Sequence, residues 1–330
     1  MLRPMGIAVL LALAPVAPGQ VRKILRDFPH GVDALAFSPD GKILATGTYP
    51  STAGKDAVTL WDVASGKELC RLGDNAPFGC SSLAFSPDGK TLVSNGSPEQ
   101  SIFLWDVATR KVRLTIKVPR GVGGLLAVSP DSKTLAANGD GPPVRLYDME
   151  TGKEKLVLER FFKPIALVFS PDGKMLAGST YNGWVMLWNA ATGTLRGLLI
   201  SHERIVRSVA FSPDSKTLYS LGEDRRLVVW DTGTGKVRKR LDLSKGGRTA
   251  YAALSPDGKT LAMMAANRVR LFDLEREECR PGVDWDHQDG RQRCLTFSPD
   301  GKQLATDSGG NPARNTVYLW DVPPPKKSRD

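Results

Sequence analysis

Residues 35–42 read LAFSPDGK, and closely related stretches recur along the whole chain. There are seven of them: LAFSPDGK at Leu35, LAFSPDGK at Leu83, LAVSPDSK at Leu126, LVFSPDGK at Leu167, VAFSPDSK at Val209, AALSPDGK at Ala252 and LTFSPDGK at Leu295. Successive Ser-Pro-Asp triplets begin 41 to 48 residues apart. A repeat of this length is typical of chains built from copies of one small structural unit, so the repeat decides the fold.

A second apolar phrase follows each of these stretches and ends in an aromatic residue with a polar neighbour. The endings are Trp61-Asp62, Trp105-Asp106, Tyr147-Asp148, Trp188-Asn189, Trp230-Asp231, Phe272-Asp273 and Trp320-Asp321. Paired phrases of this kind, at a period of about 40–45 residues, predict an all-β fold: a seven-bladed β-propeller.

Each repeat is interpreted as four antiparallel strands, named a to d in chain order. The Ser-Pro-Asp-Gly stretch is the a–b hairpin turn, because proline presets φ, aspartate bonds back to the backbone and glycine accepts a positive φ. Ser132 and Ser215 replace this glycine. A non-glycine residue in that conformation costs on the order of 1 kcal/mol, so strain is predicted in these two turns.

The apolar composition of strand a predicts a sheet that is covered on both faces, as when blades stack around an axis. The last repeat has no strand d of its own, because Trp320-Asp321-Val322 leads into Pro323-Pro324-Pro325. Residues 21–26 form a spare strand d ahead of the first repeat. We therefore expect this segment to pair into blade seven, close the ring and remove an open sheet edge.

With these motifs in place, the chain resembles the WD40 repeat family across residues 20–322. Blades three and six depart from the pattern, with Tyr147 and Phe272 at the tryptophan position. A related propeller class also uses Ser-Pro-Asp-Gly turns, but the Leu-Trp-Asp endings fit it less well. The resemblance implies a rigid ring whose loops bind other molecules.

The resemblance also implies a hydrogen-bonded set in blade five, made of His202, Ser220, Asp224 and Trp230. Asp224 would orient His202, whose other ring nitrogen would reach the Ser220 hydroxyl and through it the Trp230 indole. Serine, histidine and aspartate are also the residue types of a hydrolase triad. We interpret the set as structural, because Ser220 lies inside a strand and no oxyanion-hole motif accompanies it.

His30 and His287 precede strand a of blades one and seven, roughly where His202 precedes strand a of blade five. We extend the structural interpretation to both. His287 also lies in the acidic stretch DWDHQD at 284–289, so a metal site there is an alternative. That stretch lacks ion-loop spacing, and the sequence predicts neither a metal nor any other cofactor.

The d–a and b–c loops share one rim of the predicted ring, which we call the top rim. Two b–c loops are longer than the rest, at 48–57 and 307–316, and lie in blades that become neighbours on closure. They are either a specialised patch or tolerated loop growth. Aromatic and basic residues assigned to the top rim predict binding of an acidic peptide or protein surface. The predicted partner-binding residues are Tyr49, Phe78, Phe161, Tyr181, Trp184, Arg204, Arg225, Trp285 and Arg314.

The net charge bears on nucleic-acid binding, and the cysteines bear on zinc binding. The net charge is +10, which keeps a nucleic-acid or polyanion binder as an alternative. No block of five or six basic residues forms a nucleic-acid arm, so nucleic acid is the weaker prediction. Cys70 and Cys279 are placed on or near outer strands, Cys80 and Cys294 near inner strands, and all four are predicted to be buried free thiols. No C-x-x-C spacing suggests zinc.

Residues 1–19 are predicted to be a secretory signal peptide, with Arg3 ahead of an apolar run and small residues at Ala17 and Gly19. The run is too short to cross a membrane. The propeller then occupies 20–322, and residues 323–330 form a short Pro/Lys-rich tail. These features predict an exported protein, periplasmic or extracellular.

The leading functional prediction is a non-catalytic scaffold for protein–protein interaction, acting as a monomer or within a larger complex. An enzyme or ligand-binding protein that uses the central channel is the alternative. The sequence contains no motif for nucleotide, phosphate or nucleophile chemistry, which favours the scaffold.

Overall fold

The computed structural model describes residues 21–25, 28, 31–48, 58–73, 79–96, 101–118, 124–139, 143–158, 163–244, 249–265, 268–286, 294–307 and 316–324. These residues form seven antiparallel sheets of four strands each. The predicted all-β, seven-bladed propeller is therefore confirmed. Within the described residues, no helix is long and apolar enough to span a membrane.

Blades one to four each consist of four consecutive strands. Blade one contains β2 (Val32–Phe37), β3 (Ile43–Thr48), β4 (Val58–Asp62) and β5 (Glu68–Leu72). Blade two contains β6 (Leu83–Phe85), β7 (Thr91–Gly96), β8 (Ser101–Asp106) and β9 (Lys111–Lys117). Blade three contains β10 (Leu126–Val128), β11 (Thr134–Asn138), β12 (Val144–Asp148) and β13 (Glu154–Val157). Blade four contains β14 (Pro164–Phe169), β15 (Met175–Thr180), β16 (Trp184–Asn189) and β17 (Leu195–Ile200).

Blades five and six repeat this order, and blade seven combines both ends of the ring. Blade five contains β18 (Val206–Phe211), β19 (Thr217–Gly222), β20 (Arg226–Asp231) and β21 (Val237–Asp242). Blade six contains β22 (Thr249–Leu254), β23 (Thr260–Ala265), β24 (Arg268–Asp273) and β25 (Glu278–Asp286). Blade seven contains β26 (Leu295–Phe297), β27 (Gln303–Asp307), β28 (Val317–Asp321) and β1 (Val21–Leu25).

The first strand of the described chain pairs with the last. β1 runs antiparallel to β28, with Val21 opposite Trp320 and Leu25 opposite Val317, and the register shifts between Val21 and Lys23. Strand a of each blade contacts strand a of the next, from β2 through β26 and back to β2. The a strands therefore surround one axis, and blade seven meets blade one.

Apolar cores lie between blades rather than within them. There are seven clusters of buried side chains, and each mixes residues of two neighbouring blades. The cluster between blades seven and one, for example, packs Leu25 and Val317 against Leu44 and Trp61. Each blade is thus stabilised mainly by its two neighbours, as expected for a repeat architecture.

Burial differs between the strands of a blade. Every residue of β7 and β15 is buried, whereas the four central residues of β14 are only half-buried. The prediction of sheets covered on both faces is therefore confirmed at strand b, while strand a is less buried because the a strands face the axis. Strand b is the buried strand that packs against both neighbouring blades.

The Ser-Pro-Asp turns are built alike. In blade one, the Ser38 hydroxyl donates to Asp40 Oδ1 at 2.6 Å and accepts from the Ile43 N–H at 2.9 Å. The hydrogen bond from Ser38 is the main cause that lowers the pKa of Asp40. The turn aspartates of the other six blades, whose pKa is also lowered, are Asp88, Asp131, Asp172, Asp214, Asp257 and Asp300.

These turns also contact each other around the bottom rim, the rim opposite the top rim. In five of the seven contacts, a glycine lies beside the proline of the preceding blade's turn: Gly41–Pro299, Gly89–Pro39, Gly173–Pro130, Gly258–Pro213 and Gly301–Pro256. In the other two, Ser132 and Ser215 stand at the glycine position with φ of 61°. The left-handed conformation predicted for these two serines is therefore confirmed.

Candidate functional site

Blade five contains a continuous chain of buried polar side chains. His202 Nδ1 lies 3.0 Å from both carboxylate oxygens of Asp224, and His202 Nε2 lies 2.7 Å from Ser220 Oγ. The Trp230 indole donates to the same Ser220 oxygen at 2.8 Å. Asp224 also accepts the backbone N–H of Glu203 at 3.1 Å, which fixes the loop that enters blade five.

This arrangement favours a structural role over nucleophilic chemistry. Ser220 is 1% exposed and its oxygen is already engaged by both His202 and Trp230, so no substrate can approach it. Burial raises the pKa of Asp224, but hydrogen bonds and charge from His202, with backbone N–H groups, lower it below the ordinary value overall. An ionised aspartate held in this way orients a neighbouring imidazole.

Among the described residues, three other blades share the indole end of this network. The fourth residue of strand b accepts the indole N–H in four blades: Thr46 from Trp61, Ser94 from Trp105, Ser220 from Trp230 and Thr306 from Trp320. Blades three and six have Ala137 and Met263 there, and these are the two blades in which Tyr147 and Phe272 replace the tryptophan. In these blades, a serine or threonine at the fourth position of strand b therefore occurs together with the tryptophan whose indole N–H it accepts.

Blade four breaks this rule. It keeps Trp188 but has Gly178 at the fourth position of strand b, and a Cβ on Gly178 would lie 3.0 Å from the indole ring. The ring therefore occupies the space of the missing side chain. Trp188 Nε1 is buried and has no hydrogen-bond partner among the residues that the structure describes. The aligned repeats contain this signal, because Gly178 stands where four other blades have serine or threonine.

On the top rim, the b–c turn of blade four adjoins the loop that enters blade five. A Cβ on Gly183 would lie 2.5 Å from the carbonyl oxygen of His202 and 2.9 Å from that of Arg204, so the blade-four turn touches the loop that enters blade five. Arg225 occupies the corresponding turn position in blade five, with φ of 62°. Only a limited number of non-glycine residues adopt this conformation, and such residues are frequent near binding sites.

Two exposed apolar side chains lie at or beside the blade-four turn. Tyr181 is 56% exposed in the turn itself, and Ile200 is 58% exposed at the end of β17. Ile200 is the register partner of Trp184, the half-buried first residue of β16. The three residues form an apolar edge at the top of blade four. Ile200 was missed from the sequence because its exposure depends on its position at the end of an outer strand.

A groove of about 370 Å³ is lined in part by Arg204, whose carbonyl oxygen lies against Gly183 of the blade-four turn. Its lining residues are Glu203, Arg204, Glu223, Asp224, Arg225, Arg226, Asp242 and Ser244. The acidic groups are engaged: Glu203 pairs with Arg226 at 2.8 Å, Glu223 with Arg207 at 2.8 Å, and Asp242 accepts the Ser244 N–H at 2.7 Å. Among the described residues, Arg204 and Arg225 are exposed and form no salt bridge. The groove can therefore offer two cationic groups to a ligand.

The remaining predicted residues divide into two groups. Tyr49, Phe78, Phe161 and Arg314 lie outside the described residues, as do His30, His287 and most of both long b–c loops. Trp184 and Trp285 were assigned to loops, but they belong to strands: Trp184 opens β16, and Trp285 pairs with Val269 within β25. That loop assignment is corrected here, since the strands extend further toward the top rim than the sequence suggested.

The prediction of buried cysteines is confirmed for Cys80 and Cys294 but wrong for Cys279, which is exposed, and Cys70 is half-buried. Cys70 and Cys279 lie on the outer strands β5 and β25, whereas Cys80 and Cys294 are buried just ahead of inner strands. Burial raises the pKa of Cys80 to about 12. Among the described residues, no cluster of three or more His, Cys, Asp or Glu side chains could hold a metal ion.

Comparison with known proteins identifies the repeat. The WD40 family model, described as WD domain, G-beta repeat, matches residues 22–62, 66–106, 158–189, 193–231 and 284–321, which together exceed half of the chain. Blades three and six, where Tyr147 and Phe272 replace tryptophan, lie outside these matches.

A relative among curated proteins is Periodic tryptophan protein 2 of Arabidopsis thaliana, which is 30% identical over 177 residues. The match covers 52% of this chain and 19% of the relative, so the chain spans about a fifth of that protein's length. Family matches in five blades, together with seven four-stranded sheets in a ring, give one conclusion: the chain belongs to the WD40 family.

Proposed function

We propose that the chain is a non-catalytic scaffold that binds an acidic protein partner through the top rim of blades four and five. WD40 propellers are typically protein-interaction scaffolds, which supports the general assignment. The specific surface, which we call the top patch, consists of Tyr181, Trp184, Ile200, Arg204 and Arg225. Its apolar edge and adjacent arginines are the residue types enriched at binding hot spots.

The observation that carries the proposal is the state of the charges in the top-patch groove. Its acidic side chains are occupied by partners within the protein, whereas Arg204 and Arg225 have no salt bridge among the described residues. A carboxylate of a partner would therefore meet two guanidinium groups without a salt bridge, one of which, Arg225, also interacts with the charge of Asp242. Such charge complementarity favours acidic partners and speeds their association.

The top patch also rests on backbone that is already ordered. Arg225 donates its N–H to the Gly222 carbonyl at 3.1 Å, and its carbonyl accepts the Leu243 N–H at 2.8 Å. Thr180 Oγ1 accepts the Trp184 N–H at 3.1 Å across the blade-four turn. A partner that binds here needs to order little backbone, which preserves affinity.

Affinity capture from an extract of the native host tests the proposal, with Tyr181→Ala and the double variant Arg204→Glu/Arg225→Glu beside the unaltered protein. The expected result is one recurring protein partner that both variants lose. Arg196→Glu is the matched control, because Arg196 is an exposed arginine on the outer strand of blade four, away from the top patch. Loss of the partner with Arg196→Glu but not with the double variant would contradict the proposal.

Salt dependence of the captured complex distinguishes a nucleic-acid partner. Nuclease treatment that abolishes capture, with a steep fall in affinity as salt rises, would replace the scaffold by a polyanion binder. A partner that resists nuclease supports the scaffold. Turnover of a small molecule without any partner would instead indicate an enzyme.

We also propose export, which rests on the leader-like pattern of residues 1–19. Those residues lie outside the described part of the chain. N-terminal sequencing of the protein purified from its host tests this directly. A mature chain that begins near Gln20, in an extracytoplasmic fraction, is expected; an uncleaved chain in the cytoplasm would contradict it.

A further inference from the structure

A second groove lies on the bottom rim, between blades three and four. Its volume is about 630 Å³, within the ~300–1,000 Å³ typical of ligand sites. The lining residues are Ser129, Pro130, Asp131, Thr134, Leu146, Lys155, Leu156, Phe169, Asp172, Gly173, Ala190 and Ala191. They come from both blades, so this groove, which we call the bottom groove, is a feature of the interface.

One small residue accounts for the bottom groove. The residue that follows the aromatic-Asp/Asn pair packs against strand d of the preceding blade, as Val63 and Met149 do with 8% and 3% exposure. In the seven blades this residue is Val63, Val107, Met149, Ala190, Thr232, Leu274 and Val322. Ala190 is the smallest of the set, so blade four leaves open the space that its sister residues fill.

The walls of the bottom groove are apolar and its edge is acidic. Leu146, Leu156 and Phe169 supply the apolar surface. The hydrogen bonds to Asp131 and Asp172 from within their turns all fall on Oδ1. Among the described residues, the Oδ2 atoms of both carboxylates accept no hydrogen bond.

Asp131 and Asp172 therefore each present one carboxylate oxygen, Oδ2, that can accept a hydrogen bond from a ligand at this edge of the groove. Their turns are adjacent, since a Cβ on Gly173 would lie 3.8 Å from Pro130 Cδ. The one basic group of the lining, Lys155, is already engaged: its Nζ lies 3.3 Å from Thr134 Oγ1 and 3.9 Å from Asp148 Oδ2. The bottom groove thus combines an apolar wall with two carboxylates that form no salt bridge among the described residues, while the charges of Lys133 and Lys155 act on Asp131 from nearby.

We propose that the bottom groove binds an arginine side chain carried by an extended, otherwise apolar segment of a protein partner. The aliphatic stem would lie along Leu146, Leu156 and Phe169, and the guanidinium would donate to Asp131 and Asp172. Arginine fits better than lysine because its planar fork can donate to two carboxylates at once. This site is independent of the top patch, since it lies on the opposite rim and selects the opposite charge.

Fluorescence anisotropy with the full-length protein tests the proposal. The probe is a fluorescein-labelled peptide, Gly-Ser-Leu-Arg-Leu-Ser-Gly, with two companions that carry lysine or glutamate in place of the arginine. The arginine peptide is expected to bind, the lysine peptide to bind more weakly and the glutamate peptide not to bind. Because the protein has net charge +10, attraction of a cationic peptide requires a local acidic site.

Three variants locate the binding. Ala190→Val places in blade four the residue found in blade one, and is expected to weaken binding about tenfold or more by filling the space. Asp131→Asn and Asp172→Asn keep the Oδ1 acceptor of each turn but remove its charge, and each is expected to weaken binding about tenfold. The matched control is Asp88→Asn, the same change in a turn that does not line the bottom groove.

The outcomes separate clearly. Ala190→Val is expected to unfold at the same temperature as the unaltered protein or higher, because it adds apolar contact to an open interface. No binding of the arginine peptide at millimolar concentration would overturn the proposal. So would equal binding of the glutamate peptide, or undiminished binding by Ala190→Val with its melting temperature unchanged.

Discussion

The hydroxyl of Ser132 accepts a hydrogen bond of 3.1 Å from the backbone N–H of Asp88, in the turn of the preceding blade. Ser215 makes the same contact with the N–H of Asp172. These are the two blades in which serine replaces the turn glycine and adopts a positive φ. The serine thus gains a bond between blades that glycine cannot make, and this offsets its conformational cost.

This balance predicts different results for two substitutions at one position. Ser132→Ala loses the hydrogen bond but keeps the unfavourable φ, so it should destabilise the protein by about 1 kcal/mol. Ser132→Gly loses the bond but relieves a strain of about 1 kcal/mol, so its net effect should be near zero. Chemical denaturation measures both free energies of unfolding. Equal destabilisation by the two variants would show that the strain is unimportant.

The unpartnered indole of blade four predicts a difference between tryptophans. Trp105→Phe should leave the buried Ser94 hydroxyl without its partner, at a cost of about 1–3 kcal/mol beyond the lost packing. Trp188→Phe removes an N–H that has no acceptor, so this additional cost should be absent. The free energies of unfolding of the two variants test this. A larger loss for Trp188→Phe would contradict the interpretation.

The blade-five network predicts a pH dependence with a definite sign. Folding lowers the pKa of Asp224, so its stabilisation is complete above the ordinary aspartate pKa of about 4 and is lost as the pH falls below it. Asp224→Asn should lose about 1.5–3 kcal/mol at pH 7, as expected for hydrogen bonds to a charged group.

The two proteins should therefore converge in stability as the pH falls from 5 toward 3. The seven turn aspartates also destabilise the fold at low pH, but they are present in both proteins and cancel in the comparison. Unfolding free energies measured across this range give the test. A constant difference between them would show that Asp224 does not titrate with folding.

Two glycines predict contrasting tolerance to a methyl group. A Cβ on Gly124 would lie 1.6 Å from the Asn138 carbonyl oxygen, so Gly124→Ala should prevent blade three from forming properly. A Cβ on Gly197 would meet only Leu199 Cδ2, at 3.6 Å, so Gly197→Ala should be neutral or slightly stabilising. Soluble yield and melting temperature measure the effects of both substitutions. Normal folding of Gly124→Ala would show that the loop before β10 can move away.

Thiol reactivity should distinguish the cysteines. Burial raises the pKa of Cys80 to about 12, and the thiolate is the reactive form, so Cys80 should resist alkylation at neutral pH. Cys279 is exposed and should react first. Mass spectrometry after brief maleimide treatment measures the order, with denatured protein as the control. Early labelling of Cys80 would indicate that blade two opens readily.

Local chemistry explains what could be predicted from the sequence. The turn residues specify their own hydrogen bonds, so the seven blades and the φ of Ser132 and Ser215 followed from the repeat alone. The bottom groove could not be predicted from the repeat, because it depends on Ala190 facing a strand from another repeat. Ile200 was missed for a similar reason: its exposure reflects the curvature and ends of neighbouring strands rather than its own residue type.

The pairing of β1 with β28 has a consequence for engineering the molecule. The two ends of the described chain lie in one sheet, with Val21 opposite Trp320, so a short linker can join them. Circular permutants that open the backbone between two other blades should then assemble the same ring. Their relative melting temperatures would rank how strongly each blade holds its neighbour.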